Sequence, residues 1–276
     1  MIYIGYKIYT PSLDNAEIIM AMLADDFQFE SFTDYDRKSR SFEGYVTLND
    51  EMIDETKNYL TENATKFERN QIEDQNWNAV WESSFDPIQV DDLCTIRAHF
   101  HQPTAAKHEI IITPKMSFGT GHHPTTHMMV QMILRANLNG LSGLDMGSGT
   151  AVLAILATQC GAKTIDAVDI DEWAYHNAIE NIEINNTQDS ITPILGDATA
   201  IKNKKYQFIL ANINRNILLN DMQKYVDTLD NGGKLIVSGI LEIDVEMITE
   251  CAVKLGLKPT HQINREGWSS IEFTMC

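Results

Sequence analysis

The sequence predicts an α/β protein in which a mostly parallel, doubly wound sheet follows a smaller α+β domain. Three observations support this fold class. The chain has 276 residues, which at about 150 residues per domain is enough for two domains. Residues 1–73 show the element order β-α-β-β-α-β. From residue 114 onward, short apolar strands alternate with amphipathic helices.

The predicted first domain spans residues 1–73 and forms a split sandwich of about 70 residues. Alternating apolar residues indicate its strands, and helical spacing after Ser12 indicates its first helix. In chain order, the predicted elements are the strand Tyr3–Tyr9, the helix Pro11–Ala24, the strands Phe27–Phe32 and Ser41–Leu48, the helix Glu51–Leu60 and the strand Lys66–Ile72.

Residues 74–113 are predicted to connect the two domains. Trp77 and Trp81 lie four residues apart, on one face of a predicted helix at Asp74–Phe85, and Leu93–Pro114 has the pattern of two strands. Large aromatic side chains often join neighbouring structural elements. We therefore interpret the tryptophan pair as a structural anchor rather than as a platform that stacks on a ligand.

The predicted second domain spans residues 114–276. Pro124 is expected in the first turn of its opening helix, where the missing backbone N–H is not needed. The alternation that follows is typical of βαβ units. Its strands are predicted at Gly143–Met146, Thr164–Ile170, Ile191–Leu195, Phe208–Ala211 and Gly233–Ser238, its helices at Ala151–Cys160, Glu172–Glu183, Asn214–Leu229 and Ile243–Leu255, and a closing hairpin strand at Gly267–Thr274.

The formal net charge is −18, from 39 acidic and 21 basic residues. A surface this negative repels phosphate backbones, so we expect no direct nucleic-acid specificity. The same charge would attract a basic protein partner, although an acidic surface can also serve solubility alone. Nothing in the sequence requires more than a monomer.

Cysteine usage and hydropathy bear on the compartment. The four cysteines are far apart in the sequence and form no C-x-x-C pair, which is typical of reduced thiols. The first residues do not form a charged leader followed by an apolar run, and no stretch of about 20 apolar residues occurs. We therefore expect a cytoplasmic protein that does not enter a membrane.

The segment Leu144–Ile155 joins a short strand to a helix through Gly147 and Gly149. Glycines at such a turn permit tight bending and close approach of the backbone to a nucleotide-like ligand. Asp145 precedes the first glycine, and its carboxylate suits a cationic sulfonium and amino group better than a pyrophosphate. Val152 replaces the third glycine of the pattern G-x-G-x-x-G. The turn therefore favours S-adenosylmethionine over a nicotinamide dinucleotide.

Polar side chains follow the next three predicted strands. Asp169 stands 22 residues after the first glycine of the turn, where its carboxylate can accept both hydrogen bonds of a ribose diol. Asp197 could accept from the amine of adenine, or could simply form a turn. Asn212 ends the fourth strand, beside the expected position of methyl transfer. Asp171 and Asn214 are interpreted mainly as helix N-caps.

Taken together, these motifs resemble the PrmA family, methyltransferases that act on the large-subunit ribosomal protein L11. The resemblance rests on S-F-G-T-G-H-H-P-T-T at 117–126, the glycine turn, D-I-D at 169–171, A-N-I at 211–213 and G-I-L at 239–241. It covers the second domain in order, and F-G-T-G at 118–121 is its most distinctive part. The connector tryptophans are also similar to that family's linker.

The resemblance implies a class I, Rossmann-like methyltransferase domain behind a ferredoxin-like domain that captures the substrate. It implies S-adenosylmethionine as the cofactor, and lysine side chains and the terminal α-amine of L11, free or on the ribosome, as the acceptors. The implied catalytic residues are Phe118, Thr120 and Asn212, and the cofactor-binding residues, including those derived above, are Thr126, Asp145, Gly147, Gly149, Asp169, Asp197 and Asn212.

The chain departs from the family pattern at two places. Ala151 stands where relatives usually carry another glycine, and His122–His123 where one histidine is usual. His123 and His127 have the i, i+4 spacing of metal ligands, but no third ligand or H-E-x-x-H motif accompanies them, so we expect no metal. Two alternatives stay open: a methyltransferase for RNA or a small molecule, and a noncatalytic cofactor-binding module for ribosome assembly.

Overall fold

The computed structural model describes residues 3–48, 51–72, 86–115 and 118–276. The chain divides into two compact units, unit 1 (residues 1–84) and unit 2 (residues 85–276). The predicted helix at Asp74–Phe85, with Trp77 and Trp81, lies outside the described residues, so the role of the tryptophan pair stays a prediction.

Unit 1 has one sheet and two helices in its described part. In chain order its elements are β1 (Tyr3–Tyr9), α1 (Leu13–Asp26), β2 (Ser31–Phe32), β3 (Ser41–Thr47), α2 (Ile53–Asn63) and β4 (Lys66–Ile72). The strands pair antiparallel in the order β2-β3-β1-β4. The predicted β-α-β-β-α-β order of elements is confirmed.

The second predicted strand, Phe27–Phe32, is wrong in its extent, because only Ser31–Phe32 pair with β3. The residues before them close helix α1 instead. The N–H of Phe27 donates to the carbonyl of Leu23, and Gln28 adopts a left-handed φ of 61°. A residue in that conformation turns the chain out of an extended path.

The core of unit 1 uses alternate residues of its strands. Ile4, Tyr6 and Ile8 of β1 are fully buried, as expected when one face of a strand points to a core. The hydroxyl of Tyr6 donates to Oε1 of Glu51 at 2.5 Å, and Arg69 pairs with the same carboxylate. The buried hydroxyl and the buried carboxylate therefore satisfy each other.

Unit 2 begins with a three-stranded sheet, β5 (Ile88–Val90), β6 (Cys94–Ala98) and β7 (His108–Ile112). Strand β5 pairs antiparallel with β6, and β6 pairs parallel with β7. The two strands predicted within Leu93–Pro114 are therefore present. Their apolar side chains join the core of unit 2, so the described part of the predicted connector belongs structurally to this unit.

The remaining predicted elements of unit 2 are all present in the predicted order, and one further strand, β13, was not predicted. The helices are α3 (Pro124–Arg135), α4 (Val152–Gln159), α5 (Glu172–Ile184), α6 (Arg215–Thr228) and α7 (Val245–Lys254). The strands are β8 (Ser142–Met146), β9 (Thr164–Asp169), β10 (Ile191–Leu195), β11 (Tyr206–Asn212), β12 (Leu229–Leu241), β13 (Leu257–Arg265) and β14 (Trp268–Met275). Strand β12 is longer than predicted because its pairing with β11 already begins at Leu229, opposite Tyr206.

The main sheet has seven strands in the order β10-β9-β8-β11-β12-β14-β13. The first five in this order are parallel, and β14 runs antiparallel between β12 and β13. The predicted Rossmann-like sheet with a closing hairpin is confirmed. The connections change direction at β8, and in such sheets a crevice opens at the carboxyl ends of the strands beside that point.

Helices cover both faces of the main sheet. Within β11, Phe208 and Leu210 belong to the core that contains residues of α3, α4 and α5, whereas Ile209 and Ala211 belong to the core with α6 and α7. Burial on both faces explains why the parallel strands are continuous apolar runs in the sequence. Over the described ranges, no helix combines the length and the apolar character needed to cross a membrane.

Three helix starts in unit 2 are set by single side chains. Asp171 accepts from the N–H of Ala174 at 2.9 Å, and Asn214 accepts from the N–H of Ile217 at 3.1 Å. Both predicted N-caps are confirmed. His123 caps α3. Pro124 occupies the first turn of this helix, as the sequence indicated.

Candidate active site

A cavity of about 770 Å³ lies where β8, β9 and β11 end, at the change of direction in the main sheet. Five of the predicted site residues line it. Among the residues that the structure describes, the lining consists of Lys115, Phe118, Gly147, Gly149, Asp169, Asp171, Trp173, Ala174 and Asn212. The fold therefore brings together residues that are spread over almost one hundred positions of the chain.

The turn between β8 and α4 carries Gly147 and Gly149, with φ of 69° and 54°. A Cβ on Gly147 would lie 2.4 Å from Cγ2 of Ile213, and a Cβ on Gly149 would lie 2.3 Å from the carbonyl oxygen of Phe118. Both positions thus require glycine for backbone conformation and for space. The sequence suggested that these glycines let a ligand approach the backbone closely. They also let the turn pack closely against other segments of unit 2.

Ala151, one of the two departures from the family pattern, is the N-cap of α4 and has a left-handed φ of 61°. An L-residue in this region is less stable than glycine by about 1–2 kcal/mol. The methyl group of Ala151 is fully buried in the core of unit 2. Its burial offsets part of the backbone strain.

Asp169 stands at the end of β9, and both of its carboxylate oxygens accept backbone hydrogen bonds. Oδ2 accepts from the N–H of Gly149 at 2.8 Å, and Oδ1 accepts from the N–H of Asp171 at 3.0 Å. A carboxylate has about four acceptor positions, so lone pairs are left for a ligand. Asp169 therefore ties the glycine turn to the end of β9 while facing the cavity.

Asn212 stands at the end of β11 in the cavity wall. Its Nδ2 donates to Oγ1 of Thr126 at 3.4 Å. Its Oδ1 is buried and has no hydrogen-bond donor among the described residues. Thr126 is itself fully buried and is not part of the lining, so it contacts Asn212 from behind rather than the cavity.

Asp145 of β8 lies beneath the glycine turn and is fully buried. Oδ2 accepts from the N–H of Ala154 at 3.1 Å, whereas Oδ1 has no partner in the described part of the chain. Burial, reinforced by the nearby charge of Asp169, raises the pKa of Asp145 to about 8, although the Ala154 hydrogen bond opposes the shift. Asp145 thus supports the turn from below and does not line the cavity.

Two further predicted site residues, in addition to Thr126 and Asp145, are not in the lining. The hydroxyl oxygen of Thr120 lies 3.2 Å from Nδ1 of His122. Asp197 is exposed and accepts from the hydroxyl and the N–H of Thr199, at 2.6 and 2.8 Å, which lowers its pKa. Asp197 therefore forms hydrogen bonds within a turn, and its predicted contact with adenine stays a prediction.

An aromatic column stands beside the cavity. The ring of His123 lies 5.3 Å from that of Phe118 and 4.9 Å from that of Trp268, between ring centroids. His123 also accepts from the N–H of Thr125 as a helix cap. This histidine therefore links the F-G-T-G segment to the closing hairpin, a contact for which the sequence carried no signal.

Trp173 and Lys115 line the cavity but were not predicted. Trp173 is the second residue of α5, and its side chain is 83% exposed. An aromatic residue on the polar side of a predicted helix was the sequence signal that could have identified it as a site residue. Lys115 is bound to Glu180 through its Nζ and is the only basic residue in the described part of the lining. With Asp169 and Asp171 also present, the cavity favours a positively charged ligand over a pyrophosphate.

The model of one protein family, described as "Ribosomal protein L11 methyltransferase (PrmA)", matches residues 18–275. The chain belongs to this family. The resemblance drawn from the F-G-T-G segment, the glycine turn and the strand-end motifs is confirmed. The match begins within α1, so PrmA family membership extends over both compact units.

Individual members of the PrmA family support the same assignment. A protein from Phocaeicola vulgatus, described as ribosomal protein L11 methyltransferase, is 37% identical over 270 residues, which is 96% of each chain. One from Porphyromonas gingivalis with the same description is 46% identical over 205 residues, 73% of this chain and 70% of that protein. The crystal structure of a ribosomal protein L11 methylase from Lactobacillus delbrueckii subsp. bulgaricus has a TM-score of 0.62 at 26% identity, covering 68% of this chain and 98% of that chain.

Proposed function

We propose that this protein transfers methyl groups from S-adenosylmethionine to amino groups of ribosomal protein L11, at lysine side chains and the N-terminal α-amine. Its relatives are described as L11 methyltransferases. The observation that carries the proposal is the buried Oδ1 of Asn212, which has no hydrogen-bond donor among the described residues and lies in the wall of an acidic cavity. An amine N–H that reached this oxygen would satisfy it.

The cavity suits a cationic nucleoside cofactor. Its volume of about 770 Å³ falls within the range of about 300–1,000 Å³ that is typical of small-molecule sites. Its acidic lining complements a sulfonium and an ammonium group. When bound, S-adenosylmethionine supplies a methyl group on a positively charged sulfur that leaves as a neutral thioether.

Each predicted cofactor-binding residue has a proposed part. Asp169 would hold the ribose diol with the lone pairs that its two backbone donors leave free. Gly147 and Gly149 would face the methionine portion, with Asp145 supporting their turn from beneath. Asp197 would contribute at most a weak contact to adenine, because it is exposed and already bound to its own turn.

Asn212 would orient the acceptor nitrogen by accepting a hydrogen bond from one of its N–H groups at Oδ1. Thr126 would keep the amide in this orientation, since its hydroxyl accepts from Nδ2. The acceptor must be a neutral amine, and a lysine with an ordinary pKa loses its proton at neutral pH at a cost of about 4 to 5 kcal/mol. Phe118 and Thr120 would help by desolvating the acceptor, which lowers the pKa of its ammonium group.

The two units would divide substrate binding and chemistry. We propose that residues 1–73 form a ferredoxin-like substrate-recognition domain, that 74–113 connect it, and that 114–276 carry the methyltransferase site. The strand order of unit 1 supports the ferredoxin-like assignment. The net charge of −18 would attract a basic ribosomal protein and disfavour RNA. We expect the active protein to be a monomer.

A methyl-transfer assay tests the proposal. The protein is incubated with methyl-labelled S-adenosylmethionine and either purified large-subunit proteins or ribosomal RNA, and mass spectrometry then locates the methyl groups. We expect label in L11, at lysines and the α-amine, and none in RNA. Label in RNA alone would favour the RNA alternative. Cofactor binding without transfer to L11 would favour the noncatalytic assembly module.

A further inference from the structure

Thr150 is a fully buried residue in the glycine turn that holds three segments of unit 2 together. Its N–H donates to the carbonyl of Phe118 at 3.0 Å, and its hydroxyl donates to the carbonyl of Gly119 at 2.8 Å. Its own carbonyl accepts from Nδ2 of Asn181 at 3.0 Å. Every polar group of Thr150 is therefore bound to a residue outside its own turn.

The contacts of Thr150 join two segments that contribute separately to the cavity lining. Phe118 comes from the F-G-T-G segment and Gly149 from the glycine turn. A Cβ on Gly119 would lie 2.6 Å from Oγ1 of Thr150, and a Cβ on Gly149 would lie 2.3 Å from the carbonyl oxygen of Phe118. The glycines of the two motifs thus let the motifs fit against each other.

Helix α5 supports this junction through Asn181, and Asn185, the C-cap of α5, lies one turn further along the chain. Asn181 accepts from the N–H of Thr113 at 2.8 Å, and Asn185 both accepts from and donates to the backbone of Ile111, at 2.9 and 2.6 Å. Both side chains therefore bind the backbone at the end of β7. Asn181 additionally reaches the carbonyl of Thr150, and Asn185 has no such contact in the described structure.

We propose that Thr150 is a positioning residue that sets the affinity for the cofactor, because it holds Phe118 and Gly119 against the glycine turn, and that Asn181 fixes Thr150 from behind. The inference rests on the proposed function, since the ligand is S-adenosylmethionine or its demethylated product. When the residues that line a cavity are held in place before the ligand binds, the protein loses less conformational entropy on binding. Loss of the Thr150 hydroxyl should therefore weaken binding without removing any group that touches the ligand.

Three substitutions separate this role from a general loss of packing. Thr150→Val keeps the shape of the side chain but removes the hydroxyl, and Thr150→Ser keeps the hydroxyl. Thr228→Val is the matched control. It removes a buried threonine hydroxyl from α6, where that hydroxyl donates to the carbonyls of Lys224 and Tyr225 at 3.0 Å, away from the cavity.

The first measurement is amide hydrogen exchange in the protein without cofactor. We expect Thr150→Val to exchange about 3- to 10-fold faster in peptides covering residues 118–123 and 147–152, because one stabilising hydrogen bond is lost. Thr150→Ser and Thr228→Val should match the unmodified protein in these peptides. Unchanged exchange in Thr150→Val would overturn the anchoring role.

The second measurement is the calorimetric Kd for S-adenosylhomocysteine. We expect Thr150→Val to raise the Kd about 5- to 10-fold, the equivalent of one lost hydrogen bond, and the serine variant and the Thr228 control to stay within about twofold. A merely structural role for Thr150 would leave the Kd of the folded variant unchanged.

Asn181→Ala and Asn185→Ala form a second pair, which decides the case if Thr150→Val does not fold. Each loses side-chain bonds to the end of β7, but only Asn181→Ala loses the bond to Thr150. We expect the Kd to rise about 3- to 10-fold in Asn181→Ala and to stay within about twofold in Asn185→Ala. Equal effects in the two variants would overturn the role of Asn181.

The outcomes separate this inference from the function on which it rests. If the unmodified protein binds S-adenosylhomocysteine and Thr150→Val binds it equally well, the inference is overturned and the proposed function stands. If the unmodified protein binds none, the proposed function fails and so does the claim on affinity, while the exchange data still decide whether Thr150 holds the segment.

Discussion

The ends of β9 and β11 face the same cavity, but the polar side chains at these ends differ in the hydrogen bonds that they form. Both oxygens of Asp169, at the end of β9, accept backbone N–H groups at 2.8 and 3.0 Å. Asn212, at the end of β11, makes one hydrogen bond of 3.4 Å to Thr126 and leaves a buried oxygen without a donor in the described structure. Before a ligand binds, both oxygens of Asp169 therefore have hydrogen-bond donors, whereas Oδ1 of Asn212 has none among the described residues.

This difference assigns different work to the two ends of the cavity. A carboxylate held by two backbone donors has a fixed position and suits a part of the ligand that does not react. A buried oxygen without a hydrogen-bond donor destabilises the protein until a donor reaches it. Such an oxygen therefore favours binding of the acceptor amine, which brings N–H donors. Substitutions at the β9 end should therefore change cofactor affinity, and substitutions at the β11 end should change turnover.

The largest effect is expected from Asn212→Ala. The variant lacks the oxygen that orients the acceptor, so kcat for methyl transfer should fall about 100-fold, as for loss of one well-placed polar group in an active site. The Kd for S-adenosylhomocysteine should change less than about threefold, because the β9 end is intact. Radiolabel transfer at saturating cofactor measures kcat, and calorimetry measures Kd.

Thr126→Val serves as the graded control for this variant. It keeps Oδ1 of Asn212 but removes the hydroxyl that holds its Nδ2, so kcat should fall only about fivefold. If Asn212→Ala turned over as fast as the unmodified protein, the division of labour between the two strand ends would be wrong.

Asp169→Asn should produce the next largest effect, at the other strand end. The charged acceptor is lost, and the new amide cannot accept from both Gly149 and Asp171. The Kd for S-adenosylhomocysteine should rise about 10- to 100-fold, as for hydrogen bonds to a charged group. At saturating cofactor, kcat should stay within about threefold. A large loss of kcat with unchanged Kd would reverse the comparison.

Asp145→Asn tests β8, the strand that lies between β9 and β11 in the main sheet. The pKa of Asp145 is raised to about 8 in the folded protein, so the folded state holds a proton that the unfolded state releases near pH 4. Stability attributable to Asp145 is therefore present at low pH and is lost as pH rises from about 4 to 8. Asparagine removes this dependence.

Urea unfolding at several pH values measures the effect of Asp145→Asn. The variant should match the unmodified protein near pH 4 and be more stable by on the order of 2 kcal/mol near pH 8. The gain is limited because the amide nitrogen of the new side chain is fully buried at this position and its N–H groups need acceptors there. A stability difference that did not grow with pH would show that Asp145 is ionised in the fold.

The smallest effect is expected from Asp197→Ala. Asp197 is exposed and bound to the turn at Thr199, so the Kd for S-adenosylhomocysteine should change less than about threefold. Calorimetry alongside Asp169→Asn makes the comparison direct. A loss of affinity as large as that of Asp169→Asn would restore the adenine contact that the sequence offered as an alternative.

Much of unit 2 could be predicted because its signals are local. Apolar periodicity distinguished strands from helices, and Asp171 and Asn214 marked helix starts since a capping side chain acts within three residues. The extent of β2 could not be predicted, because it depends on how Phe27 and Gln28 close helix α1. The apolar pattern of that segment is the same whether the chain extends or turns.

The site was predictable to a similar degree. Asp169 and Asn212 could be placed together because parallel strands bring their carboxyl ends to one edge of the sheet. Thr150 was missed, since its partners Gly119 and Asn181 each lie 31 residues away in the chain. No pattern within one motif indicates a contact between two motifs.

The sequence by itself determined the order of the elements other than β5 and β13, the caps Asp171 and Asn214, and the residues at the strand ends. All of these follow from periodicity and from backbone requirements over a few residues. Only the tertiary structure decided which buried oxygens have donors and what fills the space beside the glycines. Those properties depend on atoms that packing brings from distant segments. Asp169 and Asn212 are both polar strand-end residues in the sequence, and they become different only when their neighbours are in place.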